Sequence, residues 1–159
     1  MNTNQPWLDS YAPNIPHQID MTEHQSIVSI LDKAIDKYSD RPAFANFGKQ
    51  LTYNEINILS TQFANYLIHE LKLKKGERIA IMMPNVLQYP IAIFGALRAG
   101  LTVVNTNPMY TARELKHQLE DSGATVLIVM ENFASTAQEI IHETKVKQVI
   151  TTTVGEMLG

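Results

Sequence analysis

The segment RIAIMMPNVLQYPIAIFGALRAGLTVVN, Arg78 to Asn105, decides the fold. Arg78 to Met83 is a β-rich apolar run closed by Pro84-Asn85, and Leu101 to Asn105 is a second such run. Between them, Leu87 to Ala99 is apolar around most of a helical circumference and stops at Gly100. A helix of that kind is buried on more than one side. Strand, helix and strand within about thirty residues make a βαβ unit with parallel strands and a right-handed crossover.

The same alternation continues toward the C-terminus. Thr111-Ala-Arg-Glu114 is a capping box, in which the Thr hydroxyl and the Glu carboxylate each satisfy a helix donor. The helix it opens ends near Ser122-Gly123, and Thr125 to Met130 follows as a strand. Phe133, Ala137, Ile140 and Ile141 give a further amphipathic helix, and Val146 to Thr152 a last strand. The expected fold is α/β, a doubly wound parallel sheet. Only Gly155 to Gly159 follows the last strand, so the sheet is expected to be incomplete.

Toward the N-terminus, Thr52-Tyr-Asn-Glu55 is another capping box, and Ile56, Leu59, Phe63, Tyr66 and Leu67 continue at helical spacing. That helix closes at Leu71 to Gly76, with lysines at its negative end. Ala43 to Phe47 and Lys49 to Thr52 read as a hairpin around Gly48. His24 to Tyr38 reads as a helix, its stripe formed by Ile27, Ile30, Leu31, Ala34, Ile35 and Tyr38. Pro6, Pro13 and Pro16 keep the first residues irregular, although Trp7, Leu8, Tyr11 and Ile15 are too apolar for a free tail. The chain therefore divides into an extended arm, 1–22, draped over the domain or a neighbour, and a partial α/β subdomain, 23–159.

Composition narrows the function classes. With 159 residues, 45% apolar and 18% charged, the chain holds one core and is not disordered. A net charge of -3 argues against a basic nucleic-acid binder. The absence of cysteine excludes disulfides, thiolate metal sites and cysteine nucleophiles. The opening residues lack a secretory pattern, and the apolar runs are shorter than the ~20 residues a spanning helix needs. The expectation is a cytoplasmic protein, soluble or peripheral on the inner face of the membrane.

Chemical motifs are few. No two of the seven glycines stand two apart, so neither G-x-G-x-x-G nor a P-loop occurs. His69-Glu70 and His142-Glu143 begin like H-E-x-x-H, but the fifth position holds Leu73 and Val146, which cannot bind zinc. Two loops follow the carboxyl ends of expected parallel strands, where open α/β sheets bind ligands: Met83 to Asn85 and Asn105 to Thr111. Asn85, Asn107 and Tyr110 are thus candidates to touch a substrate, and Thr111 to help a helix N-terminus hold an anion. The competing reading makes Asn85 and Thr111 caps, Pro108 a turn former and Tyr110 a packed aromatic.

The stretch from Leu73 to Pro90 closely resembles bacterial long-chain fatty-acid–CoA ligases of the adenylate-forming, AMP-binding superfamily. The resemblance continues through Phe94 to Gly100, Val104 to Leu115 and His117 to Ala124, and earlier through Arg41-Pro-Ala-Phe44 and Leu51-Thr-Tyr53. It implies the N-terminal part of the large domain of an enzyme that joins a fatty acid to ATP, forms an acyl-adenylate and passes the acyl group to coenzyme A. ATP, Mg²⁺ and coenzyme A are implied for the full-length family, and no cofactor for this segment alone. The family's phosphate loop, ribose-binding Asp and catalytic Lys match no position here, so no catalytic residue carries over. The segment is expected to be an inactive scaffold that partners the remainder of a ligase chain and self-associates in isolation. The alternative is a non-enzymatic α/β binding or interaction module derived from a ligase.

Overall fold

The computed structural model describes residues 5–20 and 22–158. Eleven regular elements follow in chain order: α1 (Ile27–Tyr38), β1 (Pro42–Asn46), β2 (Lys49–Thr52), α2 (Tyr53–Asn65), β3 (Arg78–Met82), α3 (Gln88–Arg98), β4 (Thr102–Asn105), α4 (Ala112–Ser122), β5 (Val126–Met130), α5 (Ala134–Ile140) and β6 (Gln148–Thr152). β1 and β2 form an antiparallel hairpin, and β4, β3, β5 and β6 pair in that order as a parallel sheet.

Strand order reverses once, between β3 and β5. If all crossovers keep one hand, a reversal of direction requires the connecting helix to change face. The packing shows that change. Ile79, Ile81, Val126 and Ile128 meet Ala64 of α2, Leu67 just after it, and Ala92 and Ala96 of α3, on one face. Ala80, Met82, Leu127 and Val129 meet Leu115 and Leu119 of α4, and Ala137 and Ile140 of α5, on the other. Alternate residues of one strand thus feed two cores, as a sheet covered on both sides requires. A third cluster, Leu31, Leu51, Ile56 and Leu87, seats α1 and the hairpin on α2 and α3. With members in the first and third clusters, α3 is buried on two sides, as its apolar circumference demands.

Several expectations are corrected in detail. α1 begins at Ile27 rather than His24, because Ser26 caps it and Ser29 returns the bond in a capping box of two serines. α2 does not run unbroken to Leu71: its end widens into a π-type turn, Tyr66–Glu70, and Lys72 then takes a positive φ of 56°. β6 begins at Gln148, two residues later than Val146. In the arm, Pro6–Ser10 form a 3₁₀ turn where no regular structure is expected, and Trp7, Tyr11 and Ile15 are exposed. The arm's residues 1–4 and 21 lie outside the described residues, as does Gly159.

Candidate functional site

Loops leave the carboxyl ends of β3, β4 and β5 around the β3/β5 reversal, the edge at which open α/β sheets bind ligands. The loop after β3 carries Asn85, which is exposed and whose main-chain carbonyl accepts a bond from Asn46 Nδ2 of the hairpin at 3.1 Å. Asn85 does not cap α3: Leu87 occupies that position, and no side chain accepts from the helix start. Asn85 instead lines a largely apolar cavity of about 290 Å³ between hairpin and helix, with Phe44, Asn46, Val86, Tyr89 and Phe94 among its walls.

The loop after β4 carries the other candidates. Asn107 Oδ1 accepts from the Met109 amide at 3.0 Å, and its carbonyl accepts from the Tyr110 amide at 3.1 Å, a tight local turn. Tyr110 packs half-buried against the cluster beneath α4. Thr111 N-caps α4: its hydroxyl donates to Glu114 Oε2 at 2.7 Å, and the Glu114 carboxylate accepts the Thr111 amide at 2.9 Å. These two bonds, backbone first, hold the Glu114 carboxyl below its ordinary range. Thr111 also borders an open hollow of about 580 Å³ with Arg113, Glu114 and His117. Hence Asn107, Tyr110 and Thr111 are brought together in one loop, while Asn85 faces a separate cavity.

A second cavity, about 210 Å³, lies between α2, α3 and β6, beside Met83, Gln88, Ile128 and Thr152. Gln88 is buried there, and its amide donates to the Thr153 carbonyl at 2.6 Å. The edge as a whole presents amides and hydroxyls. Among the described residues, no group of three His, Cys, Asp or Glu side chains could hold a metal ion.

The parallel sheet with one reversal has a counterpart among known proteins. The family of AMP-binding enzymes matches residues 31–158. The chain belongs to that family. It is 48% identical over 153 residues to the long-chain-fatty-acid–CoA ligase of Salmonella typhimurium, covering 96% of this chain and 27% of that protein. It is 34% identical to the Bacillus subtilis long-chain-fatty-acid–CoA ligase, covering 99% of this chain and 28% of the relative. The chain thus spans about a quarter of the length of these curated relatives. A crystal structure of a long-chain-fatty-acid-CoA ligase from Archaeoglobus fulgidus superposes with a TM-score of 0.72 at 26% identity, over 82% of this chain and 29% of that one. A Mycobacterium tuberculosis fatty acyl CoA synthetase superposes with a TM-score of 0.73 at 25% identity, over 79% and 26% of the two chains. The fold is the N-terminal part of the adenylate-forming large domain.

Within this chain, sequence reading passes over two residues that organise the edge. Tyr89 Oη donates to Asn105 Oδ1 at 2.7 Å, and the Asn105 carbonyl accepts from Gln118 Nε2 at 3.0 Å. Neither partner belongs to a local motif. The one signal available was Tyr89 itself, a polar-tipped aromatic inside an otherwise apolar helix.

Proposed function

We propose that the chain is the N-terminal segment of a long-chain fatty-acid–CoA ligase. The 48% identity to the Salmonella ligase along 96% of the chain carries this reading. In the complete reaction a fatty-acid carboxylate attacks the α-phosphorus of ATP, pyrophosphate leaves, and the acyl-adenylate then yields its acyl group to the thiol of coenzyme A with loss of AMP. Fatty acid, ATP, coenzyme A and the remainder of the ligase chain are the partners.

On this reading, residues 23–159 are a partial subdomain that contributes walls and supports, with residues 1–22 as an arm. Asn85, Asn107 and Tyr110 face the substrate side, and Thr111 fixes the helix behind them. Among the described residues, no helix is long and apolar enough to cross a membrane. The enzyme works in the cytoplasm or on the inner membrane face. The 159-residue segment alone does not form acyl-adenylate.

ATP–pyrophosphate exchange tests both statements. The protein encoded by the full reading frame is expected to exchange label in a fatty-acid-dependent manner, and the purified segment to remain at background. Fatty-acid-independent behaviour of the full protein would remove the ligase reading. Exchange by the segment alone would remove the scaffold role.

A further inference from the structure

We infer that Tyr89 is a positioning residue, whose hydroxyl holds Asn105 and, through it, the loop 106–111 at the carboxyl edge of the sheet. The inference rests on the reading that this edge faces substrate. Tyr89 stands in the first turn of α3, on one face of the sheet, and Gln118 stands on α4, on the other. Asn105, the last residue of β4, is gripped by both: its side chain by the Tyr89 hydroxyl, its carbonyl by the Gln118 amide. Sheet pairing reaches one residue further, where the Thr106 amide donates to the Ile81 carbonyl at 3.0 Å. Beyond Thr106 the hydrogen bonds of the loop are internal, from the Met109 and Tyr110 amides back to Asn107, until Thr111 caps α4. The loop therefore takes its placement from its two ends, and Tyr89 clamps the first of them.

What the clamp presents is exposed. Asn107 keeps its side-chain amide donor toward solvent, and Met109 is 77% exposed at the tip. Partial burial of the Tyr89 ring raises the phenol above its ordinary pKa, so it remains a neutral donor across the working range. The ring already packs against the first core cluster without its hydroxyl. Removing the oxygen therefore releases Asn105 while leaving the apolar contacts of the ring in place.

The test uses the full-length protein that carries this segment, with Tyr89→Phe as the first variant. The KM for fatty acid, ATP and coenzyme A is measured together with kcat and with hydrogen exchange of individual amides. A lost hydrogen bond of ordinary strength is expected to raise the KM of one substrate by roughly 2- to 10-fold with kcat nearly unchanged. Exchange is expected to quicken at the amides of Asn107 and of Met109 to Thr111, and not in β3 or α3. Asn105→Asp keeps an oxygen that accepts from Tyr89 and is expected to retain the parent KM. Asn105→Leu is expected to match Tyr89→Phe, and the double variant to add nothing further.

Unchanged KM values in Tyr89→Phe, or faster exchange spread through the domain, would overturn the inference and leave a purely structural bond. A full-length protein without fatty-acid-dependent exchange of pyrophosphate would instead overturn the ligase reading. The exchange rates of loop amides would still report whether Tyr89 holds the loop.

Discussion

Two residues show how single positions set local stability. Phe47 and Gly48 form the hairpin turn with φ of 47° and 80°, the left-handed pair that a two-residue turn of this hand demands. Glycine takes that conformation freely, but an aromatic residue is strained there by about 1–2 kcal/mol. Phe47 is 72% exposed, so its ring offsets little of that strain by burial. Phe47→Asn creates the favoured Asn-Gly turn and is expected to stabilise the chain by about 1 kcal/mol, read as a higher urea midpoint with an unchanged slope. A lower midpoint would mean that the ring is held by a contact stronger than the strain. At Thr111 the direction is opposite. Loss of the cap in Thr111→Ala is expected to cost about 0.5–2 kcal/mol. The Glu114 carboxyl is depressed in the folded state by its bonds to the Thr111 backbone and hydroxyl. A depressed folded pKa adds stability above the unfolded carboxylate value and loses it as the pH falls through the folded one. The stability gap between parent and variant should therefore be widest at neutral pH and narrow in acid. A gap constant from neutral pH to well below the ordinary glutamate range would show that the box does not couple to protonation. A raised KM in a full-length ligase with stability intact would assign Thr111 to an anion site instead.

At the scale of elements, α2 and α3 come into close contact where Gly95 meets Phe63 and Ser60. A Cβ at Gly95 would stand 2.7 Å from Phe63 Cδ1 and 3.0 Å from the Ser60 carbonyl oxygen. The ring can turn, but the backbone oxygen cannot, so the helices would have to separate. Overpacking costs about 1–3 kcal/mol, against a gain in helix propensity of about 1 kcal/mol. Gly95→Ala is expected to lower stability, and to do so less in a Phe63→Leu background. A stabilised Gly95→Ala would show that the helices slide apart at little cost. Arg98, one turn of α3 later, ties the same elements together: it pairs with Asp32 of α1 at 2.7 Å and donates to Ser60 and Asn57 of α2 at 3.2 and 3.1 Å. These contacts explain which elements were legible in the sequence. The capping boxes at Thr52 and Thr111 were, because a cap is a bond between residues three apart. The serine pair at Ser26 was passed over because its second member is not Glu or Gln. The Arg98 clamp spans up to 66 residues, and the Tyr89–Asn105 bond 16, so no local pattern announces either. The loop that gathers Asn107, Tyr110 and Thr111 was found because its position after a parallel strand is a local inference. The separation of Asn85 into another cavity was not, because it depends on where the hairpin docks.

For the whole molecule, the strand order is what periodicity alone could not supply. Alternating strands and helices announce a parallel sheet, but the order β4-β3-β5-β6 leaves β4 and β6 as edges. β4 is a short strand of four residues, and the turn after it is drawn back toward α4, which limits what can pair there. β6 is longer and carries Ile150 toward one core and Val149 toward the other face, where Val149 is 46% exposed. Beside Val149 lies an apolar cavity of about 190 Å³ walled by Val129, Ala134, Ala137, Gln138 and Ile141. An apolar edge strand with free backbone donors and acceptors is a template for another strand. In the 159-residue segment, the expected occupant is a second copy, and the segment is expected to gain mass with concentration in light scattering. Val149→Lys places a charge on that face, and Thr151→Pro removes a backbone donor from the edge; each should shift the mass toward the monomer. Unfolding then provides an independent reading. Association through β6 makes the thermal midpoint rise with concentration in the parent, and the edge variants should flatten that dependence. A monomeric parent at every concentration, with a sharp cooperative transition, would show that β6 closes the sheet by itself. A parent that associates equally well with lysine at Val149 or proline at Thr151 would move the contact elsewhere, to the exposed Trp7, Tyr11 and Ile15 of the arm.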